Sequence, residues 1–358
     1  MATIAETKVD ILVIGSGPSG IAAALYCLQK GKTIVLLSRK ESENEMNSLR
    51  IESIHPGVLS LLKTLNINTD LSTIQRGMYH FISDGKNKRS INPYDDNLWD
   101  GLHVSKKLFN EHLRKEAKAQ NLTILEESVD DLIFHDERIK GVRTLSGKNI
   151  YSKYVIDGSG GQRFLGKRMK FHERFYSDSL IAWTGVCSNI ESTFYENKIA
   201  YFHPNKNGWT WIAKLEDQSF YWTRLSTKDH ADISVPVELL SSLSTTKSKV
   251  FNTRWRIFRP ICTEGGIICG DAAYLIDPAT GQGTLNALSS GIKAAQTALS
   301  CIENRKNESM ILAEYDNWNL TLFEQKVTQL SNYYREAGIN ITTAESQFFE
   351  NLKEKYEN

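Results

Sequence analysis

The sequence predicts an α/β protein: a doubly wound parallel sheet, an inserted antiparallel sheet and a helical C-terminus. Three observations carry this. An apolar strand pattern, Val9 to Ile14, runs into Gly15, Gly17 and Gly20 at G-x-G-x-x-G spacing. A second apolar strand followed by glycine turns lies at 266–291. Between them, 179–225 is dense in aromatics and alternates with period two instead of repeating at helical spacing.

The N-terminal stretch reads V-D-I-L-V-I-G-S-G-P-S-G-I-A-A-A-L. Its β-branched run suits a strand buried on both faces of a parallel sheet. Gly15 permits the tight turn out of the strand. Gly17 lets the backbone approach a pyrophosphate, and Gly20 lets the following helix pack against the strand. Ser16, Pro18 and Ser19 complete a loop whose helix N-terminus offers unpaired N–H groups to phosphates. This is a Rossmann-like dinucleotide-binding unit.

Lys32 to Leu37 reads as the second parallel strand of that βαβ unit. An acidic residue commonly ends this strand and holds a ribose. Here Ser38 stands in its place and keeps a hydroxyl for that contact, with Arg39 next to lie against the adenine. Leu59 to Leu65 carries helical spacing, Gly77 to Ser90 reads as β-structure turning at Asp84-Gly85, and Phe109 to Ala119 is a charged amphipathic helix. Strands follow at 122–125, 131–134, 139–145 and 150–156. The last runs into Asp157-Gly158-Ser159-Gly160-Gly161, a second strand-then-glycine signal. The aromatic region, including Phe194 and Tyr195, reads as a sheet with one aromatic face, and 293–302 and 310–334 read as helices.

Composition sets outer bounds. A chain of 358 residues, 41% hydrophobic and 24% charged, is ordinary for a globular protein with a sizeable core. A net charge of +1 gives no argument for nucleic acid or an acidic membrane surface. The five cysteines are scattered without metal or disulfide spacing, and the N-terminus carries no signal pattern, so a cytoplasmic protein is expected. The eight histidines show no HxH or HExxH spacing, and no metal site is expected.

The stretch 266–291 reads G-I-I-C-G-D-A-A-Y-L-I-D-P-A-T-G-Q-G-T-L-N-A-L-S-S-G. With the N-terminal fingerprint and the Asp157 element, it resembles the group A flavin-dependent monooxygenases and the flavin-dependent halogenases. The resemblance covers roughly residues 8 to 300. It implies bound FAD in a glutathione-reductase-type, three-layer domain. Gly270 and Asp271 match the family's G-D pair, whose Asp meets the ribityl chain. Pro278, Gly281, Gln282, Gly283 and Asn286 match the P-x-x-G-x-G-x-x-N turn under the isoalloxazine ring. Glu52-Ser53-Ile54-His55-Pro56 resembles the family's G-E-S-x-x-P. His103-Val104-Ser105-Lys106 with Phe109-Asn110 resembles V-x-R-x-x-F-D, with Lys106 near the cofactor phosphates. Val129 takes the place whose backbone meets the adenine, and Asp157 and Gly160 belong to the cofactor set.

The expected organisation is a discontinuous FAD-binding domain at 1–78, 101–165 and 260–300, a substrate-binding β-sheet domain at 79–100 and 166–259, and C-terminal helices at 301–358. With one complete dinucleotide fingerprint, electrons are expected from transiently docked NAD(P)H or from a separate reductase.

For the reaction, Gly208-Trp209-Thr210-Trp211-Ile212-Ala213 partly resembles the halogenases' W-x-W-x-I-P, while Gln75 falls where those enzymes carry a catalytic lysine. The Ile276-Asp277-Pro278 turn and the short chain are closer to a subgroup that matures tryptophylquinone cofactors by oxygenating a tryptophan inside a partner protein. The resemblance therefore implies an aromatic (indole) monooxygenase. Trp209 and Trp211 are the expected pocket wall, Arg76 or His203 orient substrate or move a proton, and His55 and His80 are further histidines near the flavin. Small-molecule hydroxylation or halogenation, isoprenoid double-bond reduction, and a non-catalytic FAD-binding role remain open.

Overall fold

A computed structural model describes residues 7–40, 51–83, 88–90, 100–187, 196, 198–215, 219–231 and 249–341. The expected Asp84-Gly85 turn, Phe194, Tyr195 and 342–358 lie outside the described residues.

The expected parallel sheet is present. Thr7–Ile14 pairs in parallel with Ile34–Leu37 on one side and Asn149–Asp157 on the other. Thr123–Leu125 and Gly266–Ile268 extend the two edges in parallel register. Ile11, Leu12 and Val13 are fully buried, as a strand covered on both faces requires. Cys262–Thr263 and the hairpin Val129–His135/Arg138–Thr144 add antiparallel strands. The first strand ends where its register meets Asp157, so the glycine loop and the Asp157-Gly158 loop emerge side by side.

Helix α1 (Pro18–Gln29) starts from Gly17 with Pro18 in its first turn, where a missing N–H is harmless. Helix α2 is Gly57–Thr64, α3 Lys106–Ala119, α4 Phe164–Arg168, α5 Gly283–Glu303 and α6 Glu308–Ala337. Backbones touch where α1 meets α5: a Cβ on Gly291 would fall 2.2 Å from the Ser19 carbonyl oxygen.

The second sheet has nine strands, in the order 249–252, 180–187, 220–227, 208–214, 198–205, 75–83, 101–105 and 51–54, with 88–90 on 75–83. Its pairs are antiparallel except 198–205 with 75–83, which is parallel. Ile51–Ile54 and Gly101–Ser105 are hydrogen-bonded into this sheet, although both fall within segments expected to form the FAD-binding domain. Both faces of the sheet are aromatic, contrary to expectation. Trp183, Tyr201, Phe220 and Trp222 form one cluster with Ile212, while Phe202 and Trp209 join the main core. A small third sheet of 172–175, 256–259 and 274–275 completes the set.

Helix α6 braces both large sheets. Near its start, Glu308 takes both guanidinium nitrogens of buried Arg138 at 2.8 Å. Tyr315 donates to the Ile268 carbonyl at 2.7 Å. Near its end, Tyr333 packs against Phe202 and Tyr334 receives the Trp209 indole N–H. Thirty residues at about 1.5 Å each span both sheets. No described helix is long and apolar enough to cross a membrane.

Candidate active site

A cavity of 1510 Å³ opens between the two large sheets. Ligand sites commonly measure about 300–1,000 Å³, so this one has room for more than a single small molecule. Gly15 to Ser19, Ser38, Arg39, Lys106, Val129, Gly160, Gly270, Asp271, Pro278, Gly281, Gln282 and Gly283 all line it. These residues come from distant parts of the chain and converge because the parallel strands 7–14, 34–37, 149–157 and 266–268 end on one edge of the sheet.

The glycines divide into two sets. Gly15, Gly20, Gly158 and Gly270 make room for protein: a Cβ on Gly20 would lie 1.9 Å from the Gly15 oxygen, and one on Gly15 would lie 2.5 Å from the Gly158 oxygen. Gly17, Gly160, Gly161, Gly281 and Gly283 have nothing within 4 Å of an added Cβ, and all five line the cavity. At Gly17, Gly161 and Gly283 a side chain would meet only open space, whereas Gly160 and Gly281 also hold left-handed backbone, φ 60° and 58°, that favours glycine. One group of these glycines surrounds the α1 N-terminus and the other the α5 N-terminus, two places that suit a diphosphate and an electron-rich ring edge. The site fits FAD.

Two expected cofactor residues do not reach the cavity. Gly20 packs against the turn beneath it. Asp157 is fully buried, its carboxylate accepting the Ser159 and Leu165 amides at 2.8 and 2.7 Å, so it shapes the loop and the start of α4. Ser38 hydrogen-bonds the Ser16 hydroxyl at 2.7 Å, tying the second strand to the glycine loop. Lys106 is ion-paired with Glu52 on the cavity wall. It is the single lysine among the described lining residues.

The Pro278–Thr280 turn is organised by Asp277. One carboxylate oxygen caps the Pro278–Thr280 turn through the Ala279 amide at 2.8 Å. The other accepts the Tyr334 hydroxyl at 2.6 Å and the Trp255 indole N–H at 3.3 Å, and Trp209 donates to Tyr334 at 2.7 Å. Burial pushes the Asp277 carboxyl up to about 6. The Trp209 indole N–H is thus committed to Tyr334. Lys326 of α6 donates to Gln282 Oε1 at 3.0 Å and Asn286 Oδ1 at 2.7 Å, turning both amide oxygens toward its ammonium. Burial lowers its pKa from the ordinary lysine value. Sequence reading missed Lys326 and Tyr334, since nothing local marks an α6 residue as facing the turn.

On the second sheet, pairing places Phe202 opposite Trp211, and Trp211 opposite Thr223. Phe202, Trp209, Trp211, Tyr221 and Thr223 line the cavity, with Tyr333 from α6. Trp211 sits edge-on to Tyr221 and to His103, which stacks on Tyr79. His103 is fully buried, and burial pushes it down to about 3, so it is neutral. His203 does not line the cavity: it stacks on Tyr201, one residue out of phase with Phe202. Arg76 is exposed and also outside the lining, as is Gln75. Of the other two histidines expected near the flavin, His55 lines the cavity, while His80 lies against Asp100.

The Glucose inhibited division protein A family profile matches residues 10–182, which hold the first fingerprint and the Asp157 loop. A digeranylgeranylglycerophospholipid reductase of Thermoplasma volcanium is 25% identical, with 88% of this chain and 84% of the relative aligned. This is an FAD-dependent oxidoreductase. The flavoprotein also superposes on the flavin-dependent brominase Bmp2 with a TM-score of 0.74, at 18% identity over 87% of this chain and 83% of the brominase. The peptidyl tryptophan dihydroxylase QhpG gives a TM-score of 0.68 at 16% identity, over 93% and 74% of the two chains.

Proposed function

We propose that this flavoprotein oxygenates an aromatic, indole-type ring, with a tryptophan presented by a partner protein as the substrate. The observation that supports this most is the aromatic wall of Phe202, Trp211, Tyr221 and Tyr333 in the same cavity as the flavin turn. Such a wall stacks a flat, electron-rich ring.

The Gly17 and Gly281–Gly283 loops would hold FAD, which would supply the redox chemistry: two electrons from NAD(P)H or a reductase, with one atom of O2 going to the substrate and the other to water. The protein's own groups bind and exclude water. Trp211 is held edge-on by His103 and Tyr221, Trp209 is pinned through Tyr334 to Asp277, and Lys326 fixes the two amides of the flavin turn. Halogenation is disfavoured by the wall itself, where the single described lysine, Lys106, is engaged by Glu52. Reduction of isoprenoid double bonds is the second reading, favoured by the reductase relatives and by a wall that also suits an apolar chain.

The test is co-expression with the proteins encoded beside this gene, followed by intact-mass measurement. A partner gaining one or two oxygen atoms on a tryptophan is the expected result, with no chlorotryptophan from free tryptophan and chloride. An unchanged partner mass, with turnover of a free aromatic or saturation of an isoprenoid lipid, would replace the reading.

A further inference from the structure

A cluster of cations on the cavity wall has no part in the scheme above. Arg163 follows the Gly160–Gln162 turn in a left-handed conformation, φ 56°, which arginine rarely adopts. Such backbone is retained where the surroundings demand it, and often at ligand sites. Its guanidinium is ion-paired with Glu173 Oε1. Arg256, only 7% exposed, reaches the same oxygen from 3.4 Å and donates through Nη2 to the Asp271 carbonyl at 3.3 Å. Arg163, Glu173, Arg254 and Arg256 all line the cavity.

The donors outnumber the acceptors. Two guanidiniums carry five N–H groups each and converge on one carboxylate oxygen. Arg163 Nε is buried and makes no hydrogen bond, and buried Arg256 Nη1 makes none beyond its 3.4 Å ion-pair contact with Glu173. A buried guanidinium N–H without a partner costs its desolvation; Arg138 Nε and Arg259 Nη1 are unmatched too, but only Arg163 and Arg256 also line the cavity. Lys167 adds a third positive charge close to Arg163 and Arg256. Burial, then the charge of Arg163, pulls Arg256 down to about 10 against the opposing pull of Glu173 and Asp271.

The geometry points to a binding site, between Arg163 and Arg256, for a phosphate or diphosphate group of a ligand other than FAD. Planar guanidiniums match phosphate oxygens bidentately, and the buried, cation-rich wall favours a dianion. FAD's own diphosphate has its place at Gly17 and the α1 N-terminus, and a 1510 Å³ cavity leaves room for a second molecule. Two sources share this chemistry: the diphosphate of a nicotinamide reductant and the phosphate of a phosphorylated substrate.

The probe is inorganic pyrophosphate, titrated calorimetrically into the FAD-loaded protein at constant ionic strength. Arg163→Met should weaken binding at least tenfold. Glu173→Gln, which removes the competing carboxylate, should tighten it several-fold, and both variants should keep their FAD. If the reductant is the source, pyrophosphate raises the KM for NAD(P)H in flavin reduction but leaves reduction by dithionite unchanged. If the substrate is the source, pyrophosphate leaves NAD(P)H reduction unchanged and inhibits turnover. Pyrophosphate that fails to bind, or that binds wild type and both variants alike, would overturn the proposal. So would a parallel change in FAD affinity, down in Arg163→Met and up in Glu173→Gln, because the cluster would then serve FAD's own diphosphate.

Discussion

Gly17→Val separates a glycine kept for the cofactor from one kept for the fold. An added Cβ at Gly17 meets no protein atom within 4 Å, yet it points into the cavity beside the α1 N-terminus. Phosphate oxygens sit about 2.7–3.2 Å from amide nitrogens, whereas a methyl carbon demands about 3.5–4.0 Å. Valine therefore pushes the diphosphate off the helix terminus. Losing two charge-assisted hydrogen bonds of about 1.5–3 kcal/mol each costs about 3–6 kcal/mol. At about 1.4 kcal/mol per tenfold, FAD binds roughly 10²–10⁴ times more weakly. The apoprotein should melt within a few degrees of wild-type apoprotein. Gly20→Ala is the contrast: its Cβ would fall 1.9 Å from the Gly15 oxygen, so overpacking of about 1–3 kcal/mol or more should destabilise the apoprotein itself. Affinity is read by flavin fluorescence quenching, stability by calorimetry of both apoproteins. FAD retained by Gly17→Val at near wild-type affinity would refute the placement of the diphosphate. An apoprotein destabilised as much as Gly20→Ala would refute the division of the glycines.

Asp277 should make stability depend on pH in a recognisable window. Its folded value of about 6 lies above the ordinary 3.8, so the folded state holds the extra proton and stability falls as pH rises from about 4 to 6, by about 3 kcal/mol. Asp277→Asn should remove that slope, and denaturant midpoints that track wild type across the window would contradict it. Lys326→Met takes a charge from behind Gln282 and Asn286, and the bound flavin's potential should fall by the equivalent of about 1–2 kcal/mol, roughly 20–40 mV. An unchanged spectroelectrochemical midpoint would show that the ammonium does not act on the flavin. Trp211→Ala should keep FAD but lower kcat/KM about tenfold or more through lost stacking, and full activity would remove Trp211 from the substrate wall.

The parallel sheet and both glycine loops were legible because their signals are local: a strand, a turn and a helix start within about a dozen residues. What failed depends on pairing between distant segments. The alternation of 198–205 is plain in the sequence, but its phase is set by the hairpin at 205–208, which puts Phe202 across from Trp211 and turns His203 to the opposite face. Arg76 is the extra residue of a bulge between Gln75 and Gly77 that disturbs its strand's alternation. Ile51–Ile54 and Gly101–Ser105 sit among FAD motifs yet pair into the second sheet, a choice made by long-range hydrogen bonding. Lys326 lies 40 and 44 residues, and Tyr334 57 residues, from the oxygens they bind at the turn, on a helix whose periodicity shows a buried face but not its neighbours. Asp157 was readable as a loop residue, but only its burial shows that it serves the loop's amides.

The central claim is that the two glycine loops hold FAD. The direct measurement is the nucleotide released from purified, FAD-reconstituted protein by denaturation, identified by mass and counted against the polypeptide. The account predicts one FAD per chain, lost in Gly17→Val and kept in Trp211→Ala. A wild-type protein that stays colourless after reconstitution, or that releases no stoichiometric FAD, would contradict it.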